Sequence, residues 1–299
     1  MGNQLRHHPV FEGIQLWAGP VPSGFHVDFL GTHIKRLYDE DIFPEFKNKP
    51  DQTSPVGLPP FDNEYFEWID MLESVRNAKG QYIFIELGSG YGRWSVRAAQ
   101  AVRRLNPMPF KIIAVEGEPT HYEFLKENFR DNGINPSDCR LIKAAVWHKK
   151  GAIKFRIGNP KGWYGQSIVD QSFFRRIKSF LFGRFDLHKP DNESVVLVPT
   201  ITLGEILSIC PHVDMIDMDI QGSELTVISH IIRVLNEKVM RIHIGTHSSK
   251  IEDNLRDIFL KNHWRKHFDY ALQRTVETPY GKISFDDGVQ SWINPRLVG

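Results

Sequence analysis

Short apolar runs alternate with amphipathic stretches along much of this 299-residue chain. The runs over 82–85, 110–115, 139–146, 213–220 and 239–244 have the length and apolar content of strands buried in a parallel sheet, and 195–198 reads as another strand. Between them, hydrophobic residues return at helical spacing. Phe66, Ile69, Leu72 and Val75 mark one helix, opened by Asn63 and closed by Gly80. Residues 93–102 and the segment beginning at Pro119 mark two more. Strand and helix in turn predict an α/β fold with a Rossmann-like sheet, mostly parallel, completed by C-terminal strands near 268–272 and 282–285 that form an antiparallel edge. Residues 1–62 break this rhythm with Pro9, Gly13, Gly19, Pro20, Pro22 and Gly24. They read as an N-terminal extension, either a lid or an oligomer contact. The main domain then runs over 63–299, with an insertion at about 158–193 that is loop-like at first and then basic and aromatic.

The sharpest change of pattern falls directly after the first of these strands, at Glu86-Leu87-Gly88-Ser89-Gly90-Tyr91-Gly92. Strand, glycine-rich turn and helix form the arrangement in which backbone approaches a bound nucleotide. The glycines are spaced G-x-G-x-G rather than G-x-G-x-x-G, and Glu86 stands two residues before the first of them. A carboxylate there repels a pyrophosphate and favours a cationic ligand without phosphate, and S-adenosylmethionine meets both conditions. Glu116 ends the next strand, where an acidic residue accepts hydrogen bonds from ribose hydroxyls. Ala144 and Ala145, at the end of the third, leave room for a flat ring such as adenine. The run over 213–220 carries Asp214, Asp217 and Asp219, and buried carboxylates need a partner, a ligand or an open strand end. Asp219 and His247 both stand at C-terminal strand ends, where open parallel sheets bind ligands.

Composition narrows the partners. Lysine plus arginine number 37 against 36 acidic residues, so nothing supports a nucleic-acid binder driven by phosphate neutralisation. Cys139 and Cys210 are the only cysteines and form no C-x-x-C pair, which argues against a zinc site or a disulfide framework. No apolar run is long enough to span a bilayer, and the first residues carry no apolar leader, so the expectation is a soluble, cytoplasmic protein with no membrane partner.

Several separated segments together resemble the FkbM-type S-adenosylmethionine-dependent methyltransferases, within the class I, Rossmann-like methyltransferases. The family's D-x-G-A-N-x-G is similar to 86–92. Its acidic strand end, proline and L-x-x-N are similar to Glu116, Pro119 and 125–128. Its A-A-V-x-x-x-x-G is similar to 144–151, and its I-D-V-E-G-x-E to Met218-Asp219-Ile220-Gln221-Gly222-Ser223-Glu224. The likeness runs over about 82–247. It implies cofactor contacts from Glu86, Gly88, Glu116 and Asp219, and methyl transfer to an oxygen. Gln221 replaces the family's glutamate, and Asp217 stands where lysine is common.

The resulting expectation is methylation of a small-molecule hydroxyl, on a sugar or natural product. Cofactor contacts are assigned to Glu86, Gly88, Ser89, Gly90, Tyr91, Gly92, Glu116, Ala144, Ala145 and Asp219, and proton removal to Asp219 or His247. No metal is favoured; the alternative is a divalent ion on Asp217, Asp219 and His247 that lowers the hydroxyl's pKa. The rival functions are a nucleotide-dependent oxidoreductase and a methyltransferase-like binding module. A homo-oligomer is the one macromolecular partner considered.

Overall fold

The computed structural model describes residues 6–38, 56–161, 167–168 and 194–298. A small hairpin, β1 (Phe25–Val27) and β2 (His33–Lys35), precedes α1 (Tyr65–Asn77). Then come β3 (Tyr82–Leu87), α2 (Arg93–Leu105), β4 (Phe110–Glu116), α3 (Pro119–Asp131) and β5 (Cys139–Lys143). The short β6 (Ala145–Val146), β7 (Gly151–Ile157), β8 (Ser167–Ile168) and β9 (Ser194–Ile201) follow. The last part holds α4 (Leu203–Ser208), β10 (Met215–Met218), α5 (Glu224–Lys238), β11 (Arg241–Thr246), α6 (Ser249–Lys261), β12 (Arg265–Tyr270), β13 (Arg274–Thr278), β14 (Gly281–Phe285) and β15 (Gly288–Ile293).

Seven strands form the main sheet in the order β12-β15-β11-β10-β3-β4-β5. The five from β11 to β5 are parallel, and β15 runs antiparallel to both β11 and β12. The chain starts in the middle at β3, winds outward through β4 and β5, then returns to the other side of β3 through β10 and β11. The strand order therefore switches between β3 and β10, where doubly wound sheets open a crevice for ligands. This is the Rossmann-like, mostly parallel arrangement expected from the sequence, with the antiparallel pairing of the main sheet confined to its C-terminal edge.

Two strand assignments change in detail. The run over 139–146 splits at Ala144: β5 stays in the main sheet, while β6 pairs with β9 in a separate sheet ordered β6-β9-β7-β8. The run over 282–285 does not enter the main sheet either; as β14 it pairs only with β13. The antiparallel place belongs to β15, which is buried at every position yet carries Gln290 and Ser291. Hydropathy passes over such a strand because it carries polar residues inside; the Gln290 amide donates to the Glu252 carbonyl at 2.9 Å.

Two apolar layers clasp the sheet. One joins α1, α2 and α3 with Phe11, Phe29 and Tyr38 from the N-terminal region. Polar ties reinforce this docking: the Asn132 side chain accepts from His33 N at 2.9 Å and donates to His33 O at 2.7 Å. Arg97 lies 4.5 Å from the rings of both Trp68 and Trp94, close to Asp28. The other layer covers the opposite face with α4, α5 and α6. The basic, aromatic part of the 158–193 insertion lies outside the described residues. No helix among the described residues is long and apolar enough to cross a membrane.

Candidate functional site

A cavity of about 370 Å³ opens at the switch point, a size suited to a small molecule. Glu86, Gly88, Ser89, Gly90, Tyr91, Glu116, Ala144, Ala145 and Asp219 all line it. Gly88 has φ +79, and a Cβ on it would overlap the carbonyl oxygen of Asp219. The approach of the chain leaving β10 therefore already requires glycine there. Gly92 does not line the cavity. It has φ +75 and faces Leu125 and Phe129, so it serves the packing of α3 on the turn rather than contacting a cofactor.

Two carboxylates hold the turn from within. Glu116 accepts from Gly90 N at 2.7 Å and from Glu118 N at 2.6 Å. Glu86 accepts from Ser95 N at 2.9 Å and Trp94 N at 3.3 Å, in the first turn of α2. These amides are the ones that would otherwise greet a phosphate at a helix start. Burial raises the pKa of Glu86 to about 8, helped by Asp217, while the Ser95 and Trp94 amides pull it down. Burial likewise raises Glu116 to about 7 against its two amide donors. Both are poised to ionise when a cation arrives.

The floor of the cavity continues this acidic character. Glu86, Asp217 and His243 stand in register on β3, β10 and β11. Glu67, from α1, hydrogen-bonds Asp217; burial and the neighbouring charge raise Glu67 far above the usual carboxyl range, so this pair shares a proton that Glu67 keeps. Among the described residues Asp217 therefore bonds Glu67 rather than a lysine, and the expected grouping of Asp217 with Asp219 and His247 does not form. One turn further along α1, fully buried Asp70 accepts from Arg241, from His243 Nδ1 at 2.8 Å and from His267 Nδ1 at 2.9 Å. Burial opposes ionisation of Asp70, but Arg241 and the two imidazoles outweigh it and hold its pKa well below normal. Since Asp70 is an acceptor only, Nδ1 of His243 carries the proton, and its Nε2 is left to the cavity that the residue lines.

Asp219 leaves the end of β10 with its side chain half exposed, and Gln221 donates to it at 2.8 Å. His247 lies behind Asp219, outside the cavity lining. Its Nδ1 is 3.0 Å from Glu224 Oε1 and its Nε2 is 3.2 Å from Asp219 Oδ1. Burial lowers its pKa, yet the two carboxylates raise it to about 11. Of the two residues that the sequence suggested for proton removal, the structure brings Asp219 to the cavity lining and leaves His247 behind it, within reach of Asp219.

Sequence reading missed Glu67, Asp70, His243 and Asp287, all beside or lining the site. Glu67 and Asp70 interrupt the apolar face of α1, and His243 interrupts an apolar strand; those interruptions were the available signal. Asp287, next to the unrecognised β15, carried none.

No family model matches the chain. A Jannaschia sp. (strain CCS1) protein named "Putative methyltransferase" is 28% identical over 291 residues, covering 96% of this chain and 97% of that protein. Among solved structures, the methyltransferase FkbM from Methylobacillus flagellatus KT aligns at 13% identity with TM-score 0.43, over 72% of this chain and 44% of that one. The precorrin-6y C5,15-methyltransferase from Geobacter metallireducens GS-15 aligns at 11% identity with TM-score 0.40, over 75% and 85%. Neither structural likeness bears on the activity of this chain.

Proposed function

We propose that the protein is an S-adenosylmethionine-dependent methyltransferase acting on a hydroxyl of a small molecule, a sugar or natural product. One observation carries this reading: at the glycine turn, the amides a pyrophosphate would need are already bonded to Glu86 and Glu116. A dinucleotide would have to displace two carboxylates, whereas a sulfonium and an ammonium gain from them. The full-length likeness to a protein named as a methyltransferase supports the same choice. In this reading Glu116 meets the ribose, Ala144 and Ala145 flank the adenine, and Glu86, Gly88, Ser89, Gly90 and Asp219 border the methionine portion.

Methyl transfer breaks the S–CH₃ bond and returns its electron pair to sulfur while the acceptor oxygen forms O–CH₃. The acceptor's proton goes to His243 Nε2, the ring nitrogen that Asp70 does not hold. Asp219 fixes the acceptor in line with the methyl group. Calorimetry of the purified chain with S-adenosylmethionine and with NAD⁺ tests the cofactor. Binding of the first alone is expected; absence of S-adenosylmethionine binding at about millimolar concentration, or preference for NAD⁺, sinks the assignment. Transfer of a labelled methyl group to a panel of hydroxylated and aminated compounds then tests the acceptor class.

A further inference from the structure

Asp219, Glu224 and His247 each offer one ligand atom, and these atoms lie within 4.8 Å of one another. Asp287 Oδ1, on the approach to β15, is 3.8 Å from His247 Nε2. Hydrogen bonds inside the group do not account for all of it. Glu224 is fully buried, and its Oε1 takes Gly222 N and His247 Nδ1, but its Oε2 makes no hydrogen bond. His247 Nε2 is also buried without a well-aligned hydrogen bond, despite its nearness to Asp219. Two buried polar atoms in one cluster of carboxylates and imidazole thus keep donor or acceptor capacity that a cation could take up.

We propose that Asp219, Glu224 and His247 bind a divalent transition-metal cation, with Asp287 as an outer partner. The imidazole favours a first-row transition metal over calcium or magnesium, and the carboxylates suit manganese or iron. Asp219 and Asp287 also line the cavity, so the ion would keep open positions on the acceptor side. Its use in methyl transfer rests on the function proposed above: an acceptor hydroxyl bound to the ion would lose its proton more readily. The ion site itself does not depend on that function.

The test uses the full chain after chelator treatment, titrated with MnCl₂ by calorimetry and by electron paramagnetic resonance, without any cofactor. One Mn²⁺ per chain with dissociation constant in the micromolar range is expected. Asp219→Asn, at a half-exposed position, and His247→Ala should each weaken it at least about tenfold, while Asp253→Asn on the exposed face of α6 should leave it unchanged. Glu224→Gln is read together with its melting curve, since that residue is buried. Failure to bind Mn²⁺ below millimolar concentration, or binding that Asp219→Asn and His247→Ala leave intact, overturns the proposal and leaves the imidazolium as the cluster's only cation. Because S-adenosylmethionine binding is measured separately, loss of one result does not remove the other.

Discussion

The two sides of the cavity are built on different principles. On the β3–β4 side, the hydrogen bonds are local or nearly so: a glycine turn, a carboxylate that caps the helix after it, and a second carboxylate on the adjoining strand. On the β10–β11 side, the working groups come from distant parts of the chain. Asp70 and His243 are 173 residues apart, and Asp287 comes within 3.8 Å of His247 at the edge where β15 pairs with β11. A site half of the first kind is held by backbone; one of the second kind is held by charges that must all arrive together. The first should tolerate loss of one side chain with a change in affinity, and the second should not.

Asp70→Asn puts the strongest strain on that distinction. It leaves buried Arg241 facing the sheet without its main counter-ion, and a loss of about 3–5 kcal/mol in unfolding free energy is expected from urea denaturation. A loss below about 1 kcal/mol would mean the network is not what holds that half. His243→Gln keeps the bulk and a hydrogen bond but removes the base; kcat should fall about 100-fold while cofactor affinity stays within about twofold. Equal loss of both would move His243 from catalysis to structure. Gly88→Ala should cost about 2–3 kcal/mol, because its Cβ meets the Asp219 carbonyl at a positive φ. Gly133→Ala, at φ +58 with open space around it, should cost only about 1 kcal/mol, and equal melting points for the two would remove the backbone contact from the account.

Two smaller effects concern the local half. Glu116→Gln should weaken S-adenosylmethionine by about 1–2 kcal/mol, roughly tenfold, with little change in folding. The pH dependence follows from Glu86 and Glu116, whose folded-state pKa values of about 8 and 7 exceed those of the unfolded chain. Their contribution to stability is complete below the unfolded pKa of about 4 and is lost as pH rises through 7 and 8. The cofactor-free melting temperature should therefore fall between about pH 6 and 8.5, while affinity for a cationic ligand should rise over the same interval. A flat affinity profile would place the cation elsewhere.

The same contrast decided what the sequence could disclose. The turn at 86–92 and Glu116 were readable because their chemistry is written in contiguous residues and one strand repeat. Asp219 was readable as a costly charge at a strand end. His243 was not, since a single histidine in an apolar strand gains meaning only beside Asp70, and no local pattern couples them. Gly88 was readable as a turn glycine, but its close approach to the Asp219 carbonyl, 131 positions later, was not. β15 escaped because its interior is polar and its place in the sheet is set by pairing, not by periodicity.

That placement has a consequence for how the chain comes into being. β12 is synthesised before β15 but has no other neighbour in the main sheet. As the polypeptide leaves the ribosome, β12 must wait with an unpaired edge, and α6 can only partly cover it. Nascent chains stalled between 270 and 288 should be the ones most in need of chaperones, and release of the next few residues should lock the whole sheet at once.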